Sequence, residues 1–208
     1  MTPTGDDLPE IREADLSRDL EAVGRLWLDY LAWGNDGLEA RYGFRLPVGE
    51  TVEHDIGSVA KFQPPDGRLL LAFEDDVAVG TACMQRIGPD TAEIKRMFVQ
   101  PSHRRAGVGR RMLDKLITAA RTAGYERIRL DSPDFMTDAH ALYRSMGFVE
   151  IGPYAESEIP DQYKSHWLFM ERTLSLEDES DDAKLPRGAH EPEDDDDRNS
   201  DPVRLPRR

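Results

Sequence analysis

Apolar residues at the start of the chain repeat first at strand spacing and then at helix spacing. Residues 11–13 read as a short first strand. From 20 to 31 the apolar positions recur every three or four residues, which predicts a helix. Ser17 is a suitable N-cap for it, and Gly34 marks its expected end. Residues 51–62 form a candidate second helix before a pair of prolines.

Three apolar runs in the middle of the chain are separated only by tight turns. They span residues 68–73, 77–86 and 91–99, and their connections hold charged, glycine and proline residues. Strands joined by such short turns pair antiparallel with their neighbours. This part of the chain therefore predicts a three-stranded meander.

The pattern after Pro101 changes to helix and strand in turn. An apolar face over 108–120 with charged residues opposite predicts an amphipathic helix capped by Gly124. The order of elements is β-α-α-β-β-β-α-β-α-β-β, which is typical of a single mixed α/β domain over residues 9–174. The remaining predicted elements are a strand at 127–130, a helix from Thr137 to Gly147, and strands at 148–151 and 165–170.

Charge divides the chain into a domain and an appendage. The 208 residues carry 41 acidic and 27 basic side chains, a net charge of −14. Residues 175–208 hold 12 acidic and 6 basic side chains, no aromatic residue and few apolar ones. Such a segment buries too little apolar area to offset the entropy lost on ordering. We therefore expect a disordered acidic tail at 175–208 and a flexible N-terminus at 1–8.

The composition also narrows the class of protein. Cys83 is the single cysteine, so no intrachain disulfide can form, and the five histidines match no metal-ligand spacing. No apolar run is long enough to span a membrane, and the acidic N-terminus does not resemble a signal peptide. We expect a soluble cytoplasmic protein that holds no metal. Its negative charge disfavours general binding to nucleic acid or anionic membranes.

A basic, glycine-containing segment precedes the amphipathic helix at 108–120. Glycines let the backbone approach a ligand closely, and the first amides of a helix have no intrahelical partner. Arginines at a helix start oppose the helix dipole, whereas an anion bound among them reverses that effect. Solvated arginines beside a glycine turn, or a contact to nucleic acid, are the alternatives. The segment reads Arg104-Arg105-Ala106-Gly107-Val108-Gly109-Arg110-Arg111.

This segment resembles the pyrophosphate loop of the GNAT acetyltransferases, whose signature is [RQ]-x-x-G-x-[GA]. Arg104 to Gly109 match it, while the dinucleotide pattern G-x-G-x-x-G fails at Met112. Residues 93–99 resemble the central strand of that family, and residues 141–148, Ala-Leu-Tyr-Arg-Ser-Met-Gly-Phe, resemble its end motif. The resemblance extends from about residue 11 to residue 174. It implies a mostly antiparallel mixed sheet flanked by helices.

The resemblance also implies acetyl-CoA as the acyl donor. Backbone amides in the loop would hold its pyrophosphate, and the end of the central strand would pair with pantetheine. A divergence between residues 91–99 and the parallel strand at 127–130 would admit it. The cofactor-binding residues implied are Met97, Phe98, Val99, Arg104, Arg105, Gly107, Val108, Gly109 and Arg110.

Catalysis in this family is direct attack of an amine on the thioester. Tyr143 matches the family's tyrosine acid, and its alternative is a packing role in an amphipathic helix. Glu93 lies where several members carry a base, and its alternative is a partner for Lys95 or an arginine. Simple alternation places Glu93, Lys95, Met97 and Val99 on one face of the strand. The family's asparagine before the tyrosine is replaced here by Met136.

The acceptor is poorly defined by sequence. By resemblance, Tyr30 and Trp33 on the first helix and Tyr154 before the last strand are candidate substrate contacts. The interpretation is an N-acetyltransferase acting on a primary amine of a small molecule or a protein. The alternative is a non-catalytic acyl-CoA-binding module. Homodimers are frequent in the family, but no interface can be read from the residues.

Overall fold

Seven strands form one mixed sheet in the computed structural model, which describes residues 8–174. Their order across the sheet is β1-β2-β3-β4-β5-β7-β6, and only the β4–β5 pair is parallel. This confirms the predicted order of elements and the predicted fold class. The strands are β1 Glu10–Glu13, β2 Arg68–Glu74, β3 Val77–Arg86, β4 Thr91–Val99, β5 Arg127–Pro133, β6 Val149–Ile151 and β7 Trp167–Thr173.

Four helices cover the two faces of this sheet. They are α1 Leu20–Tyr42, α2 Val48–Gly57, α3 Val108–Thr122 and α4 Thr137–Ser145. On one face α3 and α4 pack on Ile94 and Ile128. On the other face α1 and α2 pack on Leu71, and Trp27 of α1 is buried in that part of the core. Burial of these apolar side chains, worth about 25 cal/mol per Å², holds each helix against the sheet.

The first helix is longer than the sequence predicted. It continues through the buried Gly34 and ends only at Gly43, whose φ of 73° is left-handed. The expected end at Gly34 was wrong because the helix beyond it buries Leu38; a Cβ on Gly34 would meet Met136 at an ordinary contact distance of 3.6 Å. A glycine inside a helix costs about 1 kcal/mol, which burial of this extra turn offsets.

The ends of two predicted helices also differ in detail. Ser17 does not cap α1, because its backbone N–H and hydroxyl both donate to Asp15. Asp19 occupies the cap position instead and accepts two hydrogen bonds from Arg12. The predicted helix at 51–62 is α2 followed by a separate 3-10 turn, Val59–Phe62.

The parallel pair β4–β5 separates soon after it begins. Its ladder contains three residue pairs and ends at Glu93 opposite Arg129, although both strands continue. Beyond that point β5 pairs only with β7 among the described residues. The result is an opening between the two strands, called the β4–β5 gap below, at the position that the sequence predicted.

A β-bulge interrupts β4 beside this gap. Phe98 pairs with Thr81 and Lys95 with Cys83, so two residues of β4 lie opposite one of β3. Arg96 in the bulge has a φ of 53°. Because a bulge shifts the alternation of side chains, the expectation of one shared face for Glu93, Lys95, Met97 and Val99 was wrong. Met97 and Val99 pack on the α3 face, whereas Glu93 and Lys95 border the α1 side.

The predicted tail at 175–208 and all but the last residue of the predicted N-terminal segment lie outside the described residues. Within residues 8–174, no helix combines the length and apolar character needed to cross a membrane. In the same range, no three histidine, cysteine or acidic side chains are grouped closely enough to hold a metal ion.

Candidate functional site

The start of α3 presents backbone amides without hydrogen-bond partners among residues 8–174. Gly107 at its N-cap has a φ of 80°, and no side chain caps the helix. The first ladder bond runs from Arg111 N to the Gly107 carbonyl at 3.1 Å, so the amides of Val108, Gly109 and Arg110 precede the ladder. Such amides, together with the positive end of the helix dipole, form an anion site. The amides of Val108, Gly109 and Arg110, called the cradle below, fit a phosphate or pyrophosphate group.

The four arginines of the loop point in different directions. Arg104 donates to the carbonyl of the last β4 residue at 2.9 Å and lies 4.7 Å from the centre of the Trp33 ring. Arg110 reaches the end of α4, and Arg111 reaches the chain before β1. Arg105 makes no hydrogen bond or ion pair with any residue between 8 and 174. The structure therefore does not gather the four guanidinium groups into one patch, and the anion site rests on backbone amides.

The C-terminal end of β4 lies directly beside this cradle. A Cβ atom on Gly109 would lie at an ordinary contact distance of 3.5 Å from the side chains of Met97 and Leu142, so α3 starts close to the end of β4. On its β5 side, β4 beyond Glu93 has no strand partner among residues 8–174. An extended ligand can pair with such a free strand edge. Cradle and free edge thus lie side by side, and the two together are called the groove below.

Phe98 and Trp33 form an aromatic wall near this groove. The Phe98 ring packs on Tyr30 and Trp33, with centroids 5.8 and 6.3 Å apart. Trp33 is 38% exposed and lies beside Arg104. The structure therefore places Trp33 next to the basic loop, whereas Tyr30 lies at a cavity on the far side of the gap.

Tyr143 brings a phenol from α4 towards the gap. Its side chain is 6% exposed, and its ring lies 6.0 Å from that of Phe148. The hydroxyl forms no hydrogen bond with any residue between 8 and 174. Burial raises the pKa of Tyr143 above its ordinary value, with smaller contributions from Tyr30 and Asp131. The phenol is therefore protonated at neutral pH and has a proton to donate.

A cavity of about 270 Å³ opens between α1, the α1–α2 connection, the β4–β5 gap and the segment before β7. Its walls are mainly apolar, and charged side chains meet at one end. A pocket that is mostly apolar with a few convergent polar groups is typical of a small-molecule site. Its charged and polar lining residues are Tyr30, Asn35, Thr51, Glu93, Lys95, Arg96, Asp131 and Glu158.

Glu93 borders this cavity, and each of its oxygens already accepts a hydrogen bond. It is 1% exposed. Its Oε1 accepts a hydrogen bond from the Tyr154 hydroxyl at 2.7 Å, and its Oε2 accepts one from Gln85 at 2.8 Å. Lys95 lies 3.5 Å from the same Oε2. Tyr154, predicted as a substrate contact, thus lies behind the cavity wall as a ligand of this carboxylate.

Asp131 is a polar residue that sequence reasoning did not select. It lies two positions beyond the last β4–β5 pair and lines the cavity. Ser157 donates a hydrogen bond to its Oδ2 at 2.9 Å, and the Tyr154 hydroxyl, which donates its proton to Glu93, lies 3.4 Å from the same oxygen. Burial, together with the charge of Glu93, raises the pKa of Asp131 to about 6. The available sequence signal was its place at the end of the strand expected to diverge from β4.

Neighbouring cations are already paired with carboxylates. Lys95 forms an ion pair with Glu158, and Arg96 donates to Asp55 through Nε at 2.8 Å. Lys61 lies between Asp55 and Glu158, 3.6 and 3.7 Å away. This network holds the bulge against α2 and leaves Asp131 as the cavity carboxylate with no cation within 4.0 Å among residues 8–174.

A model of the acetyltransferase (GNAT) family matches residues 30–148, which include the gap, the cradle and Tyr143. The chain belongs to the GNAT acetyltransferase family. Related proteins are named as N-acetyltransferases, and this chain is likewise an acyltransferase of that kind.

Two relatives illustrate the range of similarity. An IAA acetyltransferase of Azospirillum brasilense is 37% identical over 124 residues, covering 58% of this chain and 74% of that protein. An uncharacterised N-acetyltransferase of Schizosaccharomyces pombe is 28% identical over 153 residues, covering 73% and 89%. Neither comparison defines the acceptor of this chain.

Solved structures share the fold at lower identity. A GNAT-family acetyltransferase from Staphylococcus aureus Mu50 superposes with a TM-score of 0.63 at 20% identity, covering 80% of this chain and 99% of that one. The PaiA N-acetyltransferase from Thermoplasma acidophilum, in complex with coenzyme A, gives 0.61 at 18% identity, covering 79% and 98%. At these identities the likeness concerns the fold.

Proposed function

We propose that this protein is an acetyl-CoA-dependent N-acetyltransferase whose acceptor is a primary amine. One observation carries the proposal. The free amides at the start of α3 adjoin the free edge of β4, and this groove meets the acid-lined cavity at the β4–β5 gap. A ligand with an anionic and an extended part thus fits on one side of the gap, and a small acceptor fits on the other.

The residues present are suited to holding coenzyme A. Amides of Arg105 and of Gly107 to Arg110 would bind the pyrophosphate, and Met97 to Val99 would supply the strand edge. Arg104 lies where the loop meets that edge. Coenzyme A in the PaiA structure supports this assignment. When bound, acetyl-CoA supplies the thioester-activated acetyl group.

Tyr143 is the proposed proton donor to the leaving sulfur. A phenol has an ordinary pKa of about 10, and burial raises the pKa of Tyr143 further, so the hydroxyl keeps its proton until negative charge develops on the sulfur. Its hydroxyl is not held by any residue between 8 and 174, so it can turn towards a ligand in the gap. Glu93 was predicted as the base. Both its oxygens accept hydrogen bonds from neighbouring side chains, and its side chain is buried, so it is less accessible to an amine than a carboxylate with an unbonded oxygen.

The cavity favours a small amine over a protein segment. Its volume of about 270 Å³ and apolar walls suit a compact acceptor with one charged end. Carboxylates at the gap attract the ammonium form of such an amine. A non-catalytic acyl-CoA-binding module would share the cradle but would not transfer the acetyl group.

A matched pair of variants tests the cradle. Gly109→Asp places a negative charge at the anion site, while a charge of that sign near a helix start stabilises the helix by about 0.3–1 kcal/mol. We expect coenzyme A affinity, measured by titration calorimetry, to fall at least tenfold without loss of thermal stability. Gly109→Ala adds a Cβ that fits at ordinary contact distance and should keep most of the affinity.

Thiol release from acetyl-CoA over a panel of small amines then separates enzyme from binding module. Amine-dependent release supports the enzyme. Binding without release from any amine supports the non-catalytic module. Equal affinity of wild type and Gly109→Asp would contradict the assignment of the cradle.

A further inference from the structure

Asp131 occupies a distinctive position at the β4–β5 gap. The parallel ladder has already ended at Arg129, so the Asp131 side chain lies beside an opening in the sheet and lines the acceptor cavity. Its Oδ2 accepts a hydrogen bond from Ser157, and the Tyr154 hydroxyl, which donates to Glu93, lies 3.4 Å from the same oxygen. Within the described residues Oδ1 accepts no hydrogen bond and neither oxygen has an ion-pair partner. One carboxylate oxygen is therefore available to a ligand.

The other cavity carboxylates differ from it. Both oxygens of Glu93 accept hydrogen bonds, and the side chain is fully buried. Glu158 is paired with Lys95 and Lys61. A proton acceptor must reach the proton it removes. By that criterion Asp131 is the better placed of the three.

We propose that Asp131 binds the ammonium group of the acceptor and takes one proton from it, while Glu93 lies behind it on the other side of the Tyr154 hydroxyl. This inference rests on the proposed N-acetyltransferase function and defines its acceptor as an amine that enters the cavity as a cation.

The surroundings of Asp131 suit this role. Burial is the main reason that its pKa rises to about 6, and the charge of Glu93 adds to it. Lys95, Arg96 and the Ser157 hydrogen bond act in the opposite direction. Asp131 is therefore ionised at neutral pH yet binds a proton far more readily than an exposed aspartate. The charged and titratable groups facing it are Tyr30 of α1, Glu93, Lys95 and Arg96 of β4, Tyr143 of α4, and Tyr154 and Glu158 before β7.

The proton balance of the transfer is complete with these groups. Asp131 removes one proton from R–NH3⁺, which leaves a lone pair on nitrogen for the carbonyl carbon of the thioester. As the N–C bond forms and the C–S bond breaks, Tyr143 gives its proton to sulfur. The nitrogen releases a second proton, which restores the phenol. Asp131 finally releases its proton to solvent, so amide, thiol and one H⁺ are the products.

Asp131→Asn is the direct test, with Asp134→Asn as the matched control. Asp134 carries the same charge three residues further on, does not line the cavity, and bonds to Tyr42. For wild type, kcat/KM for the amine should rise with pH as a group of pKa about 6 loses its proton. We expect Asp131→Asn to lose this dependence and to be about 100-fold less active at pH 7, a usual effect of removing a general base. Asp134→Asn should behave as wild type.

Glu93→Gln distinguishes the two carboxylates. Removing the Glu93 charge removes one cause of the raised pKa of Asp131. In Glu93→Gln the rise of kcat/KM with pH should therefore persist but occur at lower pH. If Glu93 itself were the base, Glu93→Gln would lose the rise of kcat/KM with pH and Asp131→Asn would keep it. That result would overturn the proposal.

Two measurements on Asp131→Asn separate the possible failures. Its unfolding temperature at pH 7 should be no lower than that of wild type, because an ionised carboxylate is unfavourable at this buried position. Its coenzyme A affinity should be unchanged. If Asp131→Asn keeps full activity and the same rise of kcat/KM with pH as wild type, the role of Asp131 is overturned while the proposed function stands. Absence of thiol release by wild type with every amine overturns both.

Discussion

Replacing Tyr143 with phenylalanine removes one hydroxyl from the β4–β5 gap. That hydroxyl has no hydrogen-bond partner among residues 8–174, and the ring contact with Phe148 is retained. We therefore expect the free energy of unfolding to change by less than about 0.5 kcal/mol, as for substitutions that break no interaction. Turnover should fall at least about tenfold, which corresponds to about 1.4 kcal/mol in the activation free energy.

Tyr125→Phe gives the opposite pattern and serves as the control. Its hydroxyl donates to the Asp66 carbonyl at 2.8 Å, far along the sheet from the gap. Losing that bond costs about 1 kcal/mol of stability and should leave turnover unchanged. Urea unfolding gives the free energy of unfolding of each variant, and thiol release gives the turnover of each. Equal turnover of Tyr143→Phe and wild type would refute the acid role and leave Tyr143 a packing residue.

Three further predictions concern other parts of the domain. Gly107→Ala meets no steric clash but must adopt a φ of 80°, so we expect a loss of about 1–2 kcal/mol in urea unfolding together with weaker coenzyme A binding by calorimetry. Asp55→Asn removes the buried carboxylate that pairs with the half-buried Arg96 and should lower the free energy of unfolding by about 3–5 kcal/mol; an unchanged value would contradict the importance of that pair. Burial raises the pKa of Cys83, so a thiol reagent should modify it only after denaturation, and rapid modification of native protein would show that the core opens.

Much of the fold follows from local rules that the sequence displays. The turns after β2 and β3 are too short for anything except antiparallel pairing, and the β3 and β4 boundaries agree with the apolar runs. Glycines in left-handed conformations mark the ends of helices where the sequence placed them, at 124 and 147. Gly34 failed as a helix end because Leu38 beyond it is buried against distant residues, Trp167 and Phe169, that local sequence does not reveal.

The site was less predictable because it depends on pairing between distant strands. One extra residue at Arg96 reverses the faces of Met97 and Val99, and nothing in the alternation of the strand signals it. Asp131 gains its position from the point at which β4 and β5 separate. Tyr154 was selected as a substrate contact, but its hydroxyl instead joins two carboxylates. These features are set by the sheet as a whole.

Acetyl transfer to a small amine is the central claim, and product analysis tests it most directly. The protein is incubated with acetyl-CoA and a panel of small primary amines, and each mixture is examined by mass spectrometry alongside its free thiol content. With wild type we expect one amine to gain one acetyl group for each thiol released. With Asp131→Asn we expect far less acetylated amine and far less thiol. Coenzyme A binding with no acetylated amine anywhere in the panel would contradict this claim.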